Sequence, residues 1–397
     1  MRAQRLSTGA RPPRPARGDL AAGLSVAVVL VPQSLAYAQL AGMPGHRGLY
    51  AAALPPIVAA LFASSPYLQT GPVALTSLLA FGALSALADP GSAEYVELGA
   101  LLAFVVGVTR VAVGLLRAGA VAHLISRPML LGFIPASAVL IVASQLPAAL
   151  GVEPAREGIL GGAARVLAHP SSWGVEEALA AAAALTLMLA VQRVRPLLPV
   201  VAATAAGGIA AVTLLDLDLR TVGPIPEGLP RLSLALPWEE LPALLLAGVV
   251  IALIGFVEPA SIARHYALLE RRRWDADREF VSQGAANLAA AMSGAFPTGG
   301  SFSRSAIARA SGARTRWTGA VAGLLVLAFL PFASLLDDLP RAVLASIVIA
   351  SVLPLFRLRP IVRLLRFSRP QFVVAAGTFV LTLALAPHVE QAVVIGF

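Results

Sequence analysis

Residues 298–304 read Thr-Gly-Gly-Ser-Phe-Ser-Arg, and residues 70–72 read Thr-Gly-Pro. Each stretch opens a short apolar segment, and each follows an apolar segment interrupted by a proline, Pro32 in the first half of the chain and Pro259 in the second. The spacing from proline to glycine is nearly the same in both halves. Paired broken helices in matching positions are typical of a transporter built from an inverted repeat, with its substrate site at the breaks.

Long apolar segments surround these two stretches. Hydrophobic residues make up 58% of the 397 residues and charged residues 13%, with a mean hydropathy of +0.81. Segments such as 241–257 and 318–336 approach the ~20 residues that cross a ~30 Å hydrocarbon core. The sequence therefore predicts an all-α polytopic membrane protein with about thirteen or fourteen spans.

The predicted spans divide into two repeats of seven. They run over 20–42, 48–64, 71–88, 95–115, 128–149, 174–192, 197–215, 240–264, 278–293, 301–312, 317–335, 340–356 and 370–386. The first repeat is assigned to 19–215 and the second, inserted upside down, to 240–397, with an extracellular connector at 216–239. Residues 1–18, rich in arginine and proline, are predicted to be a disordered cytoplasmic segment. The apolar segment after Pro387 is too short for a helical span, so the last span is predicted to be incomplete.

The basic residues indicate the orientation. All 30 are arginines, and most, including Arg110 and the arginines within residues 357–369, fall in cytoplasmic segments if the N-terminus is cytoplasmic and the spans alternate. This is the positive-inside pattern, and it predicts a multi-pass protein of the bacterial inner membrane. A nucleic-acid surface would not need arginines that alternate with every second span. The run Arg271–Arg273 is interpreted as a solvated topology determinant.

Cofactor chemistry has little support in the sequence. The chain has no cysteine, which excludes disulfides and thiolate metal sites, and its five histidines are scattered. No nucleophile elbow, zinc helix or phosphate-binding loop is present. We therefore predict no cofactor, no metal site and no enzymatic activity.

The two short helices are predicted to form an anion site. They should begin at Gly71 and Gly299 near the bilayer midplane, with their N-termini facing each other across a cavity. Each N-terminus presents unpaired N–H groups and a partial positive charge, which favour an anion. Arg304 adds a full charge in the first turn of the tenth helix. Hydroxyl donors are expected at the same place from Thr70, Ser301 and Ser303.

Only two charged side chains, Arg304 and Glu258, are predicted deep within spans, where ionisable groups are functional candidates by default. Glu258 lies beside Pro259 on a mostly apolar helical face. A carboxyl group that takes up a proton there would couple anion entry to the proton gradient. A sodium site would need several oxygen ligands, and Ser261 is the only evident one. Structural interpretations stay open as well, because Arg304 could lock onto Glu258 or onto backbone carbonyls.

Residues 32–42, Pro-Gln-Ser-Leu-Ala-Tyr-Ala-Gln-Leu-Ala-Gly, resemble the sulfate permease (SulP) family, which includes the prestin and pendrin anion transporters. Further matches lie at 70–74, 256–263 and 300–305, and the resemblance extends over 20–397. It implies a seven-plus-seven inverted repeat with core and gate domains, often dimeric, that carries anions such as sulfate, bicarbonate, halides or dicarboxylates.

The resemblance also implies roles for individual residues. The substrate pocket would be lined by Gln33, Tyr37, Gly71, Val73, Ser301, Phe302, Ser303 and Arg304. Glu258 matches the acidic position linked to proton or sodium coupling. Val73 departs from the aromatic residue of many animal members, and Gly45 interrupts the usual Pro-Pro. The STAS domain that normally follows is predicted to be absent. A simpler interpretation is that Gln33, Tyr37 and Phe302 are ordinary packing residues.

The sequence thus predicts a secondary active transporter for an inorganic or carboxylate anion, working as a proton symporter. A fumarate-type dicarboxylate symporter is the suggested match within the family. The alternatives are sodium-coupled bicarbonate transport, and an anion channel, exchanger or prestin-like motor. A nucleobase symporter of the same architecture would place an acidic residue where this chain has Arg304. The expected partners are a small anion, a proton, the lipid bilayer and a second copy of the chain.

Overall fold

The computed structural model describes residues 15–120, 126–153, 158–195 and 198–386. Most of the predicted disordered N-terminal segment (residues 1–14) and the final apolar segment (residues 387–397) lie outside the described residues. Within the described part, the chain forms fifteen α-helices, four short 3-10 turns and two three-residue strands. The strand pair is the one departure there from the all-α prediction.

The elements follow one another in two series. The first comprises α1 Arg17–Leu40, α2 Gly45–Phe62, β1 Gln69–Gly71, α3 Ala74–Leu84, α4 Ala93–Leu115, α5 Arg127–Ala149, α6 Gly158–Ala168, α7 Val175–Val194 and α8 Val200–Leu215. The second comprises α9 Leu241–Leu269, α10 Ala276–Met292, β2 Gly299–Ser301, α11 Phe302–Ala310, α12 Trp317–Phe329, α13 Arg341–Val352, α14 Arg359–Phe367 and α15 Arg369–Ala384. The 3-10 turns are Pro170–Ser172, Trp238–Glu240, Leu330–Leu336 and Leu353–Leu355.

Seven helical segments in the described part are long and apolar enough to cross a membrane by length and composition. Four further apolar helices are shorter, α3, α6, α8 and α15. Many large apolar side chains on the outside of the bundle are exposed, as in α7, where Val175, Leu179 and Leu187 all face outward. A hydrocarbon environment accounts for such a surface, and the chain is a multi-pass membrane protein.

Two helices were not predicted. α6 begins at Gly158 and is only eleven residues long, so it falls below the length that identifies a span. The residues of α14 were assigned to a cytoplasmic loop because of their arginines. In the structure Ile361 is buried while Arg363 and Arg366 are exposed, so this segment is a short amphipathic helix.

The helices form two groups. α1–α4 pack with α9–α12, with close contacts between α4 and α10 and between α2 and α12. α5 and α7 pack instead against α13, and α5 also against α15. The division confirms the core and gate arrangement that the inverted repeat implies. Small residues allow α4 and α10 to cross closely: a Cβ added to Gly284 on α10 would lie 2.6 Å from the backbone nitrogen of Val111 on α4.

The two glycine stretches meet, but as strands. β1 and β2 pair antiparallel, with Gly71 opposite Gly299 and Gln69 opposite Ser301. The prediction that helices begin at Gly71 and Gly299 and run for about 12 to 18 residues is therefore wrong in detail. α3 has 11 residues and α11 has 9.

The backbone explains this difference. Gly71 has φ of +148°, a value that side-chain-bearing residues rarely adopt. The proline that follows it also disfavours helical geometry at position 71. The backbone N–H and C=O groups at these two breaks have no partners within a helix. Strand pairing supplies those partners in the interior of a membrane protein, where water is absent.

Hydrogen bonds between loops define two sides of the molecule. At the start of α1, the Asp19 carboxylate accepts hydrogen bonds from the backbone N–H groups of Arg314 and Thr315. We call this the N-terminal side. On the opposite side, Tyr95 donates to the carbonyl of Ala41, and the N–H of Arg341 donates to the carbonyl of Arg220.

Candidate functional site

The site is built around the strand pair at the centre of the core group. β1 leads through Pro72 and Val73 into α3, and β2 leads directly into α11. The Ser301 hydroxyl caps α11 by accepting the N–H of Arg304 at 3.4 Å, and it lies 3.2 Å from the Ser303 hydroxyl. Two helix N-termini, one from each repeat, therefore adjoin the same short sheet.

Arg304 is the central charged group. Its side chain is 0% exposed, and Nη1 donates to Oε1 of Gln33 on α1 at 3.3 Å. Nε and Nη2 have no hydrogen-bond partner among the described residues, and no ion pair with Glu258 is formed there. The guanidinium is thus not locked onto an acid or onto carbonyls, and two buried donors are left free.

Tyr37 brings the gate group to this site. It lies one turn after Gln33 on α1 and is buried. The charges of Arg304 and Glu258 act on its hydroxyl, and Ser351 on α13 lies close enough to influence it as well. Ser351 could not be predicted as a site residue, because it is one of two serines in the predicted span 340–356 and no local pattern distinguishes it from Ser346. Core and gate therefore meet at a polar contact beside the guanidinium.

Glu258 lies on α9, directly before Pro259, and is half-buried. Its electrostatic neighbours are Arg304 and the backbone N–H of Phe302 at the start of α11. The adjoining proline also packs closely on the strand pair, since a Cβ added to Gly300 would lie 3.2 Å from the Cα of Pro259. α9 therefore holds the carboxyl group against the N-terminus of α11.

The remaining predicted site residues fall into two groups. Gly71 lies beside the guanidinium, where an added Cβ would be 3.4 Å from Nη2 of Arg304. Val73 is buried and packs against Gly299. Phe302, 45% exposed, and Ser303 instead lie on an open face of α11. The structure therefore gathers Gln33, Tyr37, Gly71, Glu258 and Arg304, with Phe302 and Ser303 at the edge of this group.

The open face of α11 leads toward the N-terminal side. One helical turn beyond Phe302, Ala306 lines a hollow of about 500 Å³ together with Arg309, His265 and Glu270.

Behind the strand pair lies an arginine that the sequence analysis misplaced. Arg110 was assigned to a cytoplasmic segment, but on α4 it is 0% exposed. Its Nη1 donates to the carbonyl of Thr298 at 2.9 Å, Nε to that of Ala252 at 3.0 Å and Nη2 to that of Ile251 at 3.5 Å. Glu279 on α10 is also fully buried. The prediction of only two charged side chains within the spans is therefore wrong.

α10 joins the two strands from the same side. Gln283 donates to the Thr70 hydroxyl at 2.7 Å. Asn287 accepts the N–H of Thr298 at 2.8 Å and donates to its carbonyl at 3.2 Å. With Arg110, these amides form a polar clamp that fixes both strands, and hence both helix N-termini.

The fold defines an inverted-repeat membrane transporter with core and gate groups. The chain belongs to the sulfate permease family, whose profile matches residues 17–378. That family is one of transporters, so the chain is not expected to be an enzyme.

Curated relatives support this assignment. The chain is 34% identical over 377 residues to a protein named "Probable sulfate transporter MT1781" of Mycobacterium tuberculosis, covering 93% of this chain and 67% of the relative. It is 34% identical over 390 residues to "Probable sulfate transporter 4.2" of Arabidopsis thaliana, covering 96% of this chain and 58% of that protein. The chain thus spans less than two thirds of the plant relative's length.

Solved structures show the same fold. The transmembrane domain of a cyanobacterial bicarbonate transporter, BicA, superposes with a TM-score of 0.83 at 24% identity, covering 95% of this chain and 97% of that domain. The structure of SLC26A9 superposes with a TM-score of 0.87 at 19% identity, covering 95% of this chain and 63% of that one.

Proposed function

We propose that the chain is a secondary active transporter for a small oxyanion, with sulfate as the first candidate, and that it works by proton symport. Transport would cross a bacterial inner membrane, with the N-terminal side in the cytoplasm and the chain acting as a homodimer. The sulfate transporter names of its relatives support this substrate class. The observation that carries the proposal is the buried Arg304 guanidinium, with two free donors, between two helix N-termini.

The free donors favour an oxyanion. A buried donor without an acceptor costs about 1–3 kcal/mol, and more when it is charged. An oxyanion supplies acceptors for both Nε and Nη2 in the fork geometry that guanidinium groups match well. The Coulomb attraction at 4 Å is about 4 kcal/mol at an effective dielectric constant of 20. Together with the helix N-termini, this attraction offsets part of the dehydration cost of the anion.

The surrounding residues would divide the remaining tasks. Gln33 orients the guanidinium through its 3.3 Å contact with Nη1, and Gly71 leaves room beside Nη2. Ser303 offers a hydroxyl on the open face, while Phe302 provides an apolar wall. Tyr37 lies on α1, which packs against α13 of the gate group, so movement of core against gate would open and close the site, as in other inverted-repeat transporters.

Glu258 would couple the anion to a proton. Its negative charge acts on the same guanidinium that attracts the anion, so its protonation leaves more positive charge for the substrate. By linkage, a bound anion favours protonation by the same factor. Sodium fits less well, because the immediate neighbours of the carboxyl group are a cation and an N–H donor, neither of which coordinates sodium.

Uptake into liposomes tests the proposal. We expect the reconstituted chain to accumulate labelled sulfate when the outside is more acidic, with saturation and without single-channel currents. Excess unlabelled sulfate should compete, while bicarbonate and fumarate added separately report selectivity. Accumulation of fumarate but not sulfate would assign the site to dicarboxylates. Conductance steps without accumulation would establish a channel.

Replacing Glu258 with glutamine should reduce the sulfate accumulation that a pH gradient drives by at least 10-fold. Sulfate–sulfate exchange should persist, because Arg304 and the helix N-termini remain. Wild-type uptake should fall as the outside pH rises, whereas the variant should show a flat profile. Glu239→Gln, which changes an exposed carboxylate on the opposite side, is the matched control. Undiminished gradient-driven accumulation in Glu258→Gln would rule out the proton role.

A further inference from the structure

A second cationic pocket lies on the N-terminal side of the core group, apart from the Arg304 site. It encloses about 230 Å³ between three loops, those that join α2 to β1, α9 to α10 and α11 to α12. We call it the basic pocket. The charged residues lining it are Arg272, Arg273, Arg278, Arg314, Arg316 and Glu270.

The single acid in this lining is already engaged. Glu270 accepts the hydroxyl of Tyr67 and pairs with Arg272 at 3.5 Å and with Arg309 at 3.8 Å. Four lining arginines therefore have no carboxylate of the pocket to balance them. Such an excess of one sign in a concave site concentrates counter-ions of the other sign.

Arg316 is a buried lining residue whose guanidinium has acceptors for only some of its N–H groups. Its side chain is 8% exposed, and Nη1 donates to the carbonyl of Ala63 at 2.9 Å. Its Nε is buried with no hydrogen-bond partner among the described residues. Arg278 adds a like charge nearby, which the buried Glu279 behind the pocket offsets in part. A bound oxyanion would satisfy the free N–H and screen the repulsion between the two cations.

Two buried carboxylates hold the walls of the pocket from behind. Asp19 accepts the N–H groups of Arg314 and Thr315 and the hydroxyl of Thr315, which fixes the α11–α12 loop. Glu279 accepts the N–H groups of Ser64 and Ser65, which fixes the α2–β1 loop. Neither carboxylate lines the cavity. The acids therefore order the loops, and the arginines are left to face the ligand.

We propose that the basic pocket binds a phosphate group, either inorganic phosphate or the headgroup phosphate of an anionic lipid. Guanidinium forks match the tetrahedral oxygens of a phosphate. The geometry allows a lipid source, because Arg278 also donates to the carbonyl of Phe62, and Leu61 and Phe62 are exposed apolar side chains at the end of α2. The pocket thus borders the surface where lipid headgroups would lie.

Tryptophan fluorescence offers a direct test, because Trp274 lines the pocket. The full chain, with Trp173→Phe and Trp238→Phe to reduce background, would be placed in nanodiscs of phosphatidylcholine and titrated with inorganic phosphate. We expect a saturable change in emission that chloride at equal ionic strength does not produce. Arg316→Gln and Arg278→Gln should each raise the apparent Kd at least tenfold.

Two controls separate this pocket from other sites. Arg363→Gln removes an exposed arginine of α14 and should leave the phosphate Kd unchanged. Arg304→Gln should also retain the response, which separates the basic pocket from the transport site. If Arg316→Gln does not fold, Arg278→Gln and Arg273→Gln, both at exposed residues, carry the test. A phosphate Kd equal to that of the wild type in the pocket variants, Arg278→Gln and Arg273→Gln, would overturn the proposal.

Nanodiscs that contain phosphatidylglycerol distinguish the two sources. With a headgroup as the ligand, the emission should already be shifted and added phosphate should have little further effect. With free phosphate as the ligand, neutral and anionic discs should give the same titration. The proposal is wrong if phosphate acts no differently from chloride and the two kinds of disc give identical emission.

Discussion

Replacing Arg304 with glutamine should abolish saturable sulfate uptake while the protein remains folded. The substitution removes the positive charge and the two free donors, Nε and Nη2, that face the proposed anion. Hydrogen bonds to charged groups contribute about 1.5–3 kcal/mol each. The loss of two such bonds corresponds to a weakening of anion affinity on the order of 100-fold or more.

Stability measured in parallel makes the result interpretable. The buried guanidinium makes one hydrogen bond among the described residues, so its removal relieves a desolvation cost and should not lower the unfolding midpoint. Arg366→Gln is the control, since it removes an exposed arginine of α14, away from the site. Sulfate uptake that is unchanged in a well-folded Arg304→Gln protein would discard the anion-site assignment.

Replacing Arg110 with methionine should instead unfold the core or loosen it. The side chain keeps a similar length but donates no hydrogen bond, so the carbonyls of Ile251, Ala252 and Thr298 lose their buried donor. Asn287 still donates to the Thr298 carbonyl, so the cost comes from the lost bonds to the guanidinium. Each hydrogen bond to a charged group contributes about 1.5–3 kcal/mol, and we expect a loss of about 3 kcal/mol or more. The unfolding midpoint in detergent and the yield of folded protein measure this effect.

Transport should fail together with stability in this variant, because the Thr298 carbonyl anchors the start of β2. Arg193→Met, at an exposed position on α7, provides a control for the loss of an arginine elsewhere. An unfolding midpoint equal to that of the wild type would show that the three carbonyls find other partners, and the clamp would then lose its role.

Local sequence signals were sufficient to find the two breaks, but not their geometry. A glycine that follows a span-interrupting proline at nearly the same spacing in both halves of the chain marked the interruption of two helices. Whether the freed backbone would continue as helix or pair as strand depends on a partner in the other half of the chain, which no local pattern contains. Pro72 already argued against a helix that begins at Gly71, since the residue before a proline avoids helical geometry. The repeat boundaries at 19–215 and 240–397 stay predictions.

The positions of the buried arginines could likewise be predicted only in part from local sequence. Arg304 could be predicted within the membrane because a short polar helix start placed it there. Arg110 lies near the end of a predicted span, where a count of charges assigns a basic residue to the aqueous side. Its burial depends on carbonyl groups of α9 and of residue 298, which are distant in sequence. Ser351 was missed because only the packing of α13 against α1 gives its hydroxyl a neighbour.

The strand pair has a consequence for biosynthesis. The N–H of Gln69 donates to the hydroxyl of Ser305, which lies 236 residues later in the chain. Ribosomes add about 5–20 residues per second, so the edge of β1 waits roughly 10 to 50 s for its partner. During that interval the insertion machinery or a chaperone must shelter an open backbone edge from hydrocarbon. A nascent chain that stalls before α11 would expose this edge permanently, and membrane quality-control proteases would have a structural feature by which to recognise it.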